Sequence, residues 1–401
     1  MTDPIGTAQL ELPPLSLYVH FPWCVRKCPY CDFNSYSLQG VLEEDQYVQA
    51  LERDLQAQAL QVPGRAVISV FFGGGTPSLF SPDAIGRVLA AARRHLVLLR
   101  DAEVTLEANP GAIERGRFAE YRAAGVNRVS LGAQSFDPGL LEALGRIHSP
   151  GDTRRAAEEL HAAGLTNFNL DLMYALPGQE VAGAVRDLEA ALALAPQHLS
   201  HYQLTIEHGT VFAGRPPVLP EDDVAADMLD ACAALLAAAG FARYEISAYA
   251  QGGMRCRHNL NYWSFGDYLG LGAGAHGKLT RAGGSILRTQ QPREPRRYLA
   301  TVPSGLTHTE VERAQLPFEF MLNALRQLEG FEMKQFSERT GLPWEVIGST
   351  IADLLKRGLI LREGTHYRPS PLGLLFLNDA LLSFLPASAS EAPSGSLART
   401  G

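Results

Sequence analysis

No apolar run in this 401-residue chain reaches the roughly 20 residues that a bilayer-spanning helix requires. The most apolar stretch, Met228 to Phe241, is short and carries Asp230, so it reads as a buried core helix. The N-terminal residues lack the basic head and apolar centre of a secretory signal. Cysteine is scarce. There are five, an odd number, which argues against an oxidised secreted scaffold and for a reducing, cytoplasmic setting. Positive charge is not in surplus. Lys and Arg total 35 against 43 Asp and Glu, a net charge of -8, so the basic surface that a nucleic-acid partner demands is missing. What remains is an ordinary globular composition, long enough for one large domain and a smaller one.

Three of the five cysteines crowd into one loop, Cys24, Cys28 and Cys31, spaced CxxxCxxC with Tyr30 directly before the last. Three thiols so close, with no partner cysteine nearby, make a poor disulfide framework and a good clamp for a metal or a cluster. A 4Fe–4S cluster takes four ligands, so three cysteines leave one iron open. S-adenosylmethionine can chelate that iron through its amine and carboxylate, and an electron from the cluster can then split its sulfonium into a deoxyadenosyl radical. The competing arrangement is zinc on three Cys and one His, with His20 at hand. Heme attached as in c-type cytochromes is excluded, because Asp32 follows Cys31 where a His is required.

The rest of the large domain alternates strand and helix. Strands are expected at Leu15–Phe21, Val67–Phe72, Glu103–Ala108, Arg128–Gly132, Asn167–Met173 and His198–Gln203. Helices are expected around Glu43–Gln58, from Pro82 behind the N-cap Ser81, at Ile113–Ala124, Asp152–Ala163, Val181–Leu194 and Asp222–Ala239. Six such units in series imply an α/β fold, a partial, open TIM-type barrel of parallel strands. Ligands collect at the C-terminal ends of such strands. There the chain places the cysteines, Gly73–Gly74–Gly75, Glu107, Gln134 and Asp171. The glycines would let backbone amides approach a carboxylate or amine, and Glu107 would hold an ammonium or ribose; a turn and a surface carboxylate are the plain alternatives.

Residues 254–278 read as a loop rich in glycine and aromatics. Gly272–Lys278 matches both GxGxxG and GxxxxGK, but Leu279 stands where a P-loop needs Ser or Thr, and no helix pattern follows, so a tight turn is expected. His258–Asn–Leu–Asn–Tyr262–Trp263 could supply a heme with an imidazole and aromatic walls, or could simply fill core. After Glu310 the pattern is a small winged-helix-like α domain. From residue 311 to 385 it carries eight Lys and Arg against nine Asp and Glu, which suits a packing or partner module better than a DNA reader. The expected organisation is an N-terminal segment 1–14, the partial barrel 15–250, a connecting region 251–309, the winged-helix-like domain 310–385 and a disordered tail 386–401.

The spaced motifs YVHFPWC at 18–24, CVRKCPYC at 24–31, GGGTP at 73–77, EANP at 107–110, SLGAQSF at 130–136 and DLMYALPGQ at 171–179 resemble the radical S-adenosylmethionine proteins related to oxygen-independent coproporphyrinogen III oxidase. Within that family the likeness is closer to the heme chaperone branch, HemW, than to the oxidase. The resemblance implies a 4Fe–4S cluster on Cys24, Cys28 and Cys31, and S-adenosylmethionine contacted by Tyr18, Gly74 and Glu107. Tyr30, Gly75, Thr76, Gln134, Arg146 and Asp171 match a second S-adenosylmethionine site of the oxidase. The stretch at 258–263 is similar to a HemW hallmark, which implies a heme near His258. Two departures set the chain apart from the oxidase: Phe33 stands where the oxidase has a further cysteine, and only 17 residues precede Tyr18. The resemblance therefore implies a chaperone that passes heme to an acceptor protein, with any membrane contact made through that acceptor. Oxidative decarboxylation of coproporphyrinogen III is the alternative.

Overall fold

The computed structural model describes residues 10–111 and 116–386. The expected tail lies outside these residues apart from Pro386, as do residues 1–9 and the expected start of a helix at Ile113. Strand and helix alternate as the periodicities predict: β1 (Leu15–Phe21), α1 (Glu44–Ala59), β2 (Ala66–Gly74), α2 (Pro82–His95), β3 (Val97–Ala108), α3 (Phe118–Ala124), β4 (Arg128–Gln134), α4 (Pro150–Ala162), β5 (Phe168–Tyr174), α5 (Val181–Leu192), β6 (His198–Gln203) and α6 (Asp222–Ala238). Local chemistry sets the ends. Ser81 Oγ accepts the Ala84 amide at 3.1 Å and Pro82 opens α2. Ser149 and Asp152 cap each other reciprocally at the start of α4. Gly125, at φ 117°, closes α3 in a conformation that costs other residues energy.

β1 to β6 pair in parallel, in sequence order. The sheet does not close into a barrel. Beyond β6 it adds antiparallel β8 (Ala248–Ala250) and β7 (Ala242–Arg243); beyond β1 it adds β9 (Asp267–Leu271), β10 (His276–Thr280), β11 (Ile286–Gln290) and β12 (Thr307–Glu310), for 12 strands in all. β9 runs parallel to β1, with Tyr18 opposite Gly270. Alternation along each strand divides the side chains. Val70 and Phe72 join the continuous apolar core under the helices, and Leu51, Leu55, Ile85, Val88 and Leu89 meet it from α1 and α2. Each such buried side chain is worth about 1.5–3 kcal/mol against exposure. Ser69, Phe71 and Gly73 face the other way, into the hollow of the curved sheet.

The reading of residues 254–278 as loop is corrected here. They form α7 (Arg257–Trp263), β9 and the start of β10. The misreading has a physical cause. Gly266, Gly270, Gly272, Gly274 and Gly277 gave the stretch a turn-like composition. A Cβ on Gly270 would lie 2.0 Å from the carbonyl oxygen of His276, so that glycine serves close strand contact, not flexibility. The double nucleotide-motif match is the tight turn between β9 and β10. Its Lys278 is buried and ion-paired with Asp267 at 3.0 Å.

The C-terminal residues build a second apolar core around Phe320, Phe331, Phe336, Ile351 and Leu354. Helices Leu316–Ala324, Met333–Thr340 and Glu345–Lys356 pack beside a three-stranded antiparallel wing. Arg326, just after the first of these helices, ties the domain to the segment between β7 and β8, its guanidinium meeting buried Glu245 at 2.6 Å. Among the described residues no helix is long and apolar enough to cross a membrane.

Candidate cluster and S-adenosylmethionine site

β1 delivers the cysteine loop. Trp23–Cys24 continues from β1 and pairs in parallel with Tyr36–Ser37. Trp23 anchors that base, edge-on to Tyr47 at 4.8 Å. Lys27 Nζ donates to the Phe33 and Ser35 carbonyls at 2.9 and 3.2 Å and so fastens the loop to its own return. Phe212, from the segment after β6, donates its amide to Pro29 O at 3.0 Å. Cys24, Cys28 and Cys31 are all free and half-buried. Burial pushes the Cys24 and Cys31 thiols up from their ordinary range.

Among the described residues, no three His, Cys, Asp or Glu side chains converge on a point that one metal ion could occupy. A polynuclear cluster needs no such convergence, because each thiolate binds a different iron. The zinc alternative also loses its fourth ligand. His20 Nε2 is 2.9 Å from the Asn34 carbonyl, which can only accept, so Nε2 carries the proton. Nδ1 then accepts from the Tyr18 hydroxyl at 2.9 Å. Burial pulls this imidazole down to about 4, so it is neutral at pH 7. Three thiols without a convergent fourth ligand suit a 4Fe–4S cluster with one open iron.

The glycine turn after β2 is packed against the cysteine loop. Gly74 has φ 118°, and a Cβ there would lie 2.6 Å from the His20 ring. A Cβ on Gly75 would lie 2.6 Å from the Trp23 carbonyl oxygen. The amides of Gly75 and Thr76 donate to Phe21 O and Trp23 O at 2.7 and 2.8 Å. The Gly74 amide donates to Glu107 Oε2 at 3.0 Å. These three amides are therefore spent within the protein. The glycines serve to seat the cysteine loop and to aim Glu107, which differs from the expected cradle of free amides.

Glu107, at the end of β3, is pushed up to about 8. Burial is the main cause and the charge of Asp171 adds to it, while the Gly74 amide opposes. Asp171, on β5, is raised by burial as well. Its two oxygens accept from Ser130 Oγ at 3.1 Å and Asn169 Nδ2 at 2.8 Å. Two carboxyl groups facing one hollow make it a site for a cationic ligand. Tyr18 lies between Glu107 and the floor, half-buried, with its hydroxyl held by His20.

The remaining expected residues ring the same mouth. Gln134 ends β4 in the left-handed region, φ 67°, at a register shift, and its Oε1 accepts from Tyr202 at 2.8 Å. Thr76 Oγ1 accepts from Asn109 Nδ2 at 2.8 Å, and Asn109 Oδ1 accepts from Arg146 Nη2 at 2.6 Å. Tyr30 packs on Phe212. Asn109, Asn169 and Tyr202 were not singled out from the sequence. Their signal was there: Asn109 belongs to EANP, and Asn169 shares its strand face with Asp171.

His258 is set deeper than the other expected residues. It lies on α7, 1% exposed, with its ring 6.4 Å from that of Tyr18. Its Nδ1 is bonded to Ser69 Oγ at 3.0 Å and its Nε2 to Tyr262 Oη at 2.9 Å, and the ring stacks on Phe71 at 4.8 Å. In this geometry it offers a heme iron no free ring nitrogen. Glu103 accepts the amides of Arg257 and His258 at 3.0 and 3.1 Å and holds the start of α7. The stretch closes the floor of the hollow below Tyr18.

Residues 18–210 match the Radical SAM superfamily and residues 311–376 the HemN C-terminal domain. Heme chaperone HemW of Escherichia coli (strain K12) is 48% identical over 381 residues, 94% of this chain and 99% of the relative. Radical S-adenosyl methionine domain-containing protein 1, mitochondrial, of Mus musculus is 39% identical over 92% of this chain and 87% of its own length. In fold, the chain is similar to coproporphyrinogen III oxidase (HemN) from Escherichia coli, with a TM-score of 0.79, 23% identity, and 95% and 92% of the two chains covered. The superfamily match lies over the strands, turns and cysteine loop that form the mouth, and the relatives span nearly the whole chain: it belongs to the HemW family of radical S-adenosylmethionine proteins.

Proposed function

We propose that this chain is a cytoplasmic heme chaperone, which binds heme, a 4Fe–4S cluster and S-adenosylmethionine and passes the heme to an acceptor protein. The observation that carries the reading is the near full-length likeness to proteins named heme chaperones, at 37–48% identity. Cys24, Cys28 and Cys31 hold the cluster. Glu107 and Tyr18 receive S-adenosylmethionine at the strand ends, with Gly74 aiming the Glu107 carboxyl. When bound, cluster and S-adenosylmethionine together supply one-electron and radical chemistry. The chain's own part is to keep that site dry from below: α7, with His258, Asn261 and Tyr262, seals the floor. A ligand ammonium set between Glu107 and Asp171 relieves the repulsion that raises Glu107, so binding and ionisation of this carboxyl reinforce each other. Contact with a membrane comes only through the acceptor.

Phe33, half-exposed at the edge of the cysteine loop, occupies the position of a cysteine in the oxidase pattern. The test pairs two measurements on cluster-loaded protein. Hemin titration is expected to give a saturable Soret band. Incubation with coproporphyrinogen III, S-adenosylmethionine and a reductant is expected to give no protoporphyrinogen. Turnover in the second arm overturns the chaperone reading in favour of the oxidase.

A further inference from the structure

Arg146 is fixed on one side and aimed on the other. Its Nη2 donates to Asn109 Oδ1 at 2.6 Å and to the Gly132 carbonyl at 2.8 Å. Its Nη1 points at Cys28 Sγ, 3.7 Å away. Its Nε is buried and has no partner among the described residues. Asn109 is itself clamped to Thr76, so the guanidinium hangs from two strand ends and the turn after β2. Gly132 leaves room for it, since a Cβ there would lie 3.3 Å from Arg146 Nη2. Two of the five guanidinium N–H groups are spent on oxygens, one is buried at Nε, and Nη1 faces sulfur. Little of the fork is left for a second S-adenosylmethionine, the role that family likeness suggests.

We propose that Arg146 donates a charge-assisted hydrogen bond to the Cys28 thiolate of the iron–sulfur centre and raises its reduction potential. The inference rests on the cluster reading above. The couple gains one electron and no proton. That electron adds negative charge spread over iron, sulfide and thiolate sulfur. A cationic N–H within reach of one thiolate stabilises the reduced form more than the oxidised form. Ser35 Oγ, 3.8 Å from Cys31 Sγ, gives a second thiolate a neutral and weaker donor. The centre is thus polarised toward Cys28. Because Asn109 follows Glu107 by two residues, one strand end positions both the ligand-binding carboxyl and the residue that tunes the electron donor.

The test uses the full chain, loaded anaerobically with iron and sulfide. Iron and sulfide content and the visible band establish first that each protein carries a 4Fe–4S cluster. If wild-type protein takes up none, the cluster reading fails and this inference falls with it. With clusters in place, a dithionite potentiometric titration followed by EPR reads the midpoint. In Arg146→Gln, the ratio of reduced to oxidised cluster at the wild-type midpoint should fall about tenfold, which is about 59 mV for one electron. Arg146→Lys, which keeps the charge and loses the two-point anchorage, should fall between. Should Arg146→Gln fail to hold a cluster, Asn109→Ala frees the guanidinium without touching a thiolate, and its midpoint should also move negative. An unchanged midpoint in a cluster-loaded variant overturns the proposal. So does equilibrium dialysis in which wild type binds two S-adenosylmethionine molecules and Arg146→Gln one, at the same midpoint.

Discussion

Glu107 Oε2 accepts the Gly74 backbone amide at 3.0 Å, and this bond ties the end of β3 to the turn after β2. The turn in turn carries the cysteine loop, because Gly75 and Thr76 donate to Phe21 and Trp23. One carboxyl therefore reports on both the cluster side and the ligand side of the mouth.

The first expectation concerns pH. Glu107 is raised from 4.5 to about 8 in the folded protein. A raised acid contributes stability that is full below its unfolded value and is lost as pH climbs through its folded value. Without ligand, the wild-type chain should lose stability on the order of 2 kcal/mol between pH 5 and 8, given about 1.4 kcal/mol per pH unit and screening by solvent in the hollow. Glu107→Gln keeps an acceptor for Gly74 and cannot ionise. Its unfolding midpoint should be flatter over that range, while its affinity for S-adenosylmethionine falls. Parallel slopes for variant and wild type would remove Glu107 as the cause.

Gly75 tests the seating of the loop. Gly75→Ala drives a methyl against a backbone oxygen that has no side-chain freedom to yield. A loss of about 1–3 kcal/mol in thermal or urea unfolding is expected, together with reduced cluster content. Gly64→Ala is not a matched control, since φ there is +72°. Gly348, with nothing within 4 Å and no positive φ, is. Equal cluster content in Gly75→Ala and Gly348→Ala would mean that the glycine turn does not position Cys24.

His258 separates two roles for α7. His258→Ala orphans the Tyr262 hydroxyl, takes one of the two partners of Ser69 Oγ and leaves a cavity beside Phe71, so it should destabilise by about 2–4 kcal/mol. Hemin titration of the folded variant should give the wild-type Soret position. A shifted Soret band would mean that the floor opens and His258 reaches the iron.

Asp171 depends on its strand neighbour. Asn169→Ala removes a donor to Asp171 Oδ1 and the acceptor of His198 Nδ1 and Ser200 Oγ. Loss of a donor raises a buried carboxyl further. S-adenosylmethionine affinity should drop several-fold and its fall at acid pH should begin at higher pH than in wild type, read by calorimetric titration at several pH values. An unchanged pH profile would leave Asp171 outside the site.

The order of the elements was legible because the helical and strand periods are clean and the capping residues mark helix ends: Ser81 and Pro82 open α2, and Gly125 closes α3. The mouth was legible in outline because parallel strands deliver their C-terminal ends to one side. Residues 254–278 were not. Glycines that admit a neighbouring strand look the same in sequence as glycines that make a turn, and only the 2.0 Å approach at Gly270 tells them apart.

By itself, then, the sequence determined the three-thiol loop, the alternation of strand and helix, and which residues end the strands. All are local properties, set by spacing and by side-chain type. The tertiary structure decided partners. It engaged both ring nitrogens of His20 and of His258, spent the glycine-turn amides on Phe21, Trp23 and Glu107, and brought Arg146 to Cys28 across 118 residues of chain. Such pairings follow from which strand lies beside which and in what register. A linear chain states the donors and acceptors, and only the fold consumes them.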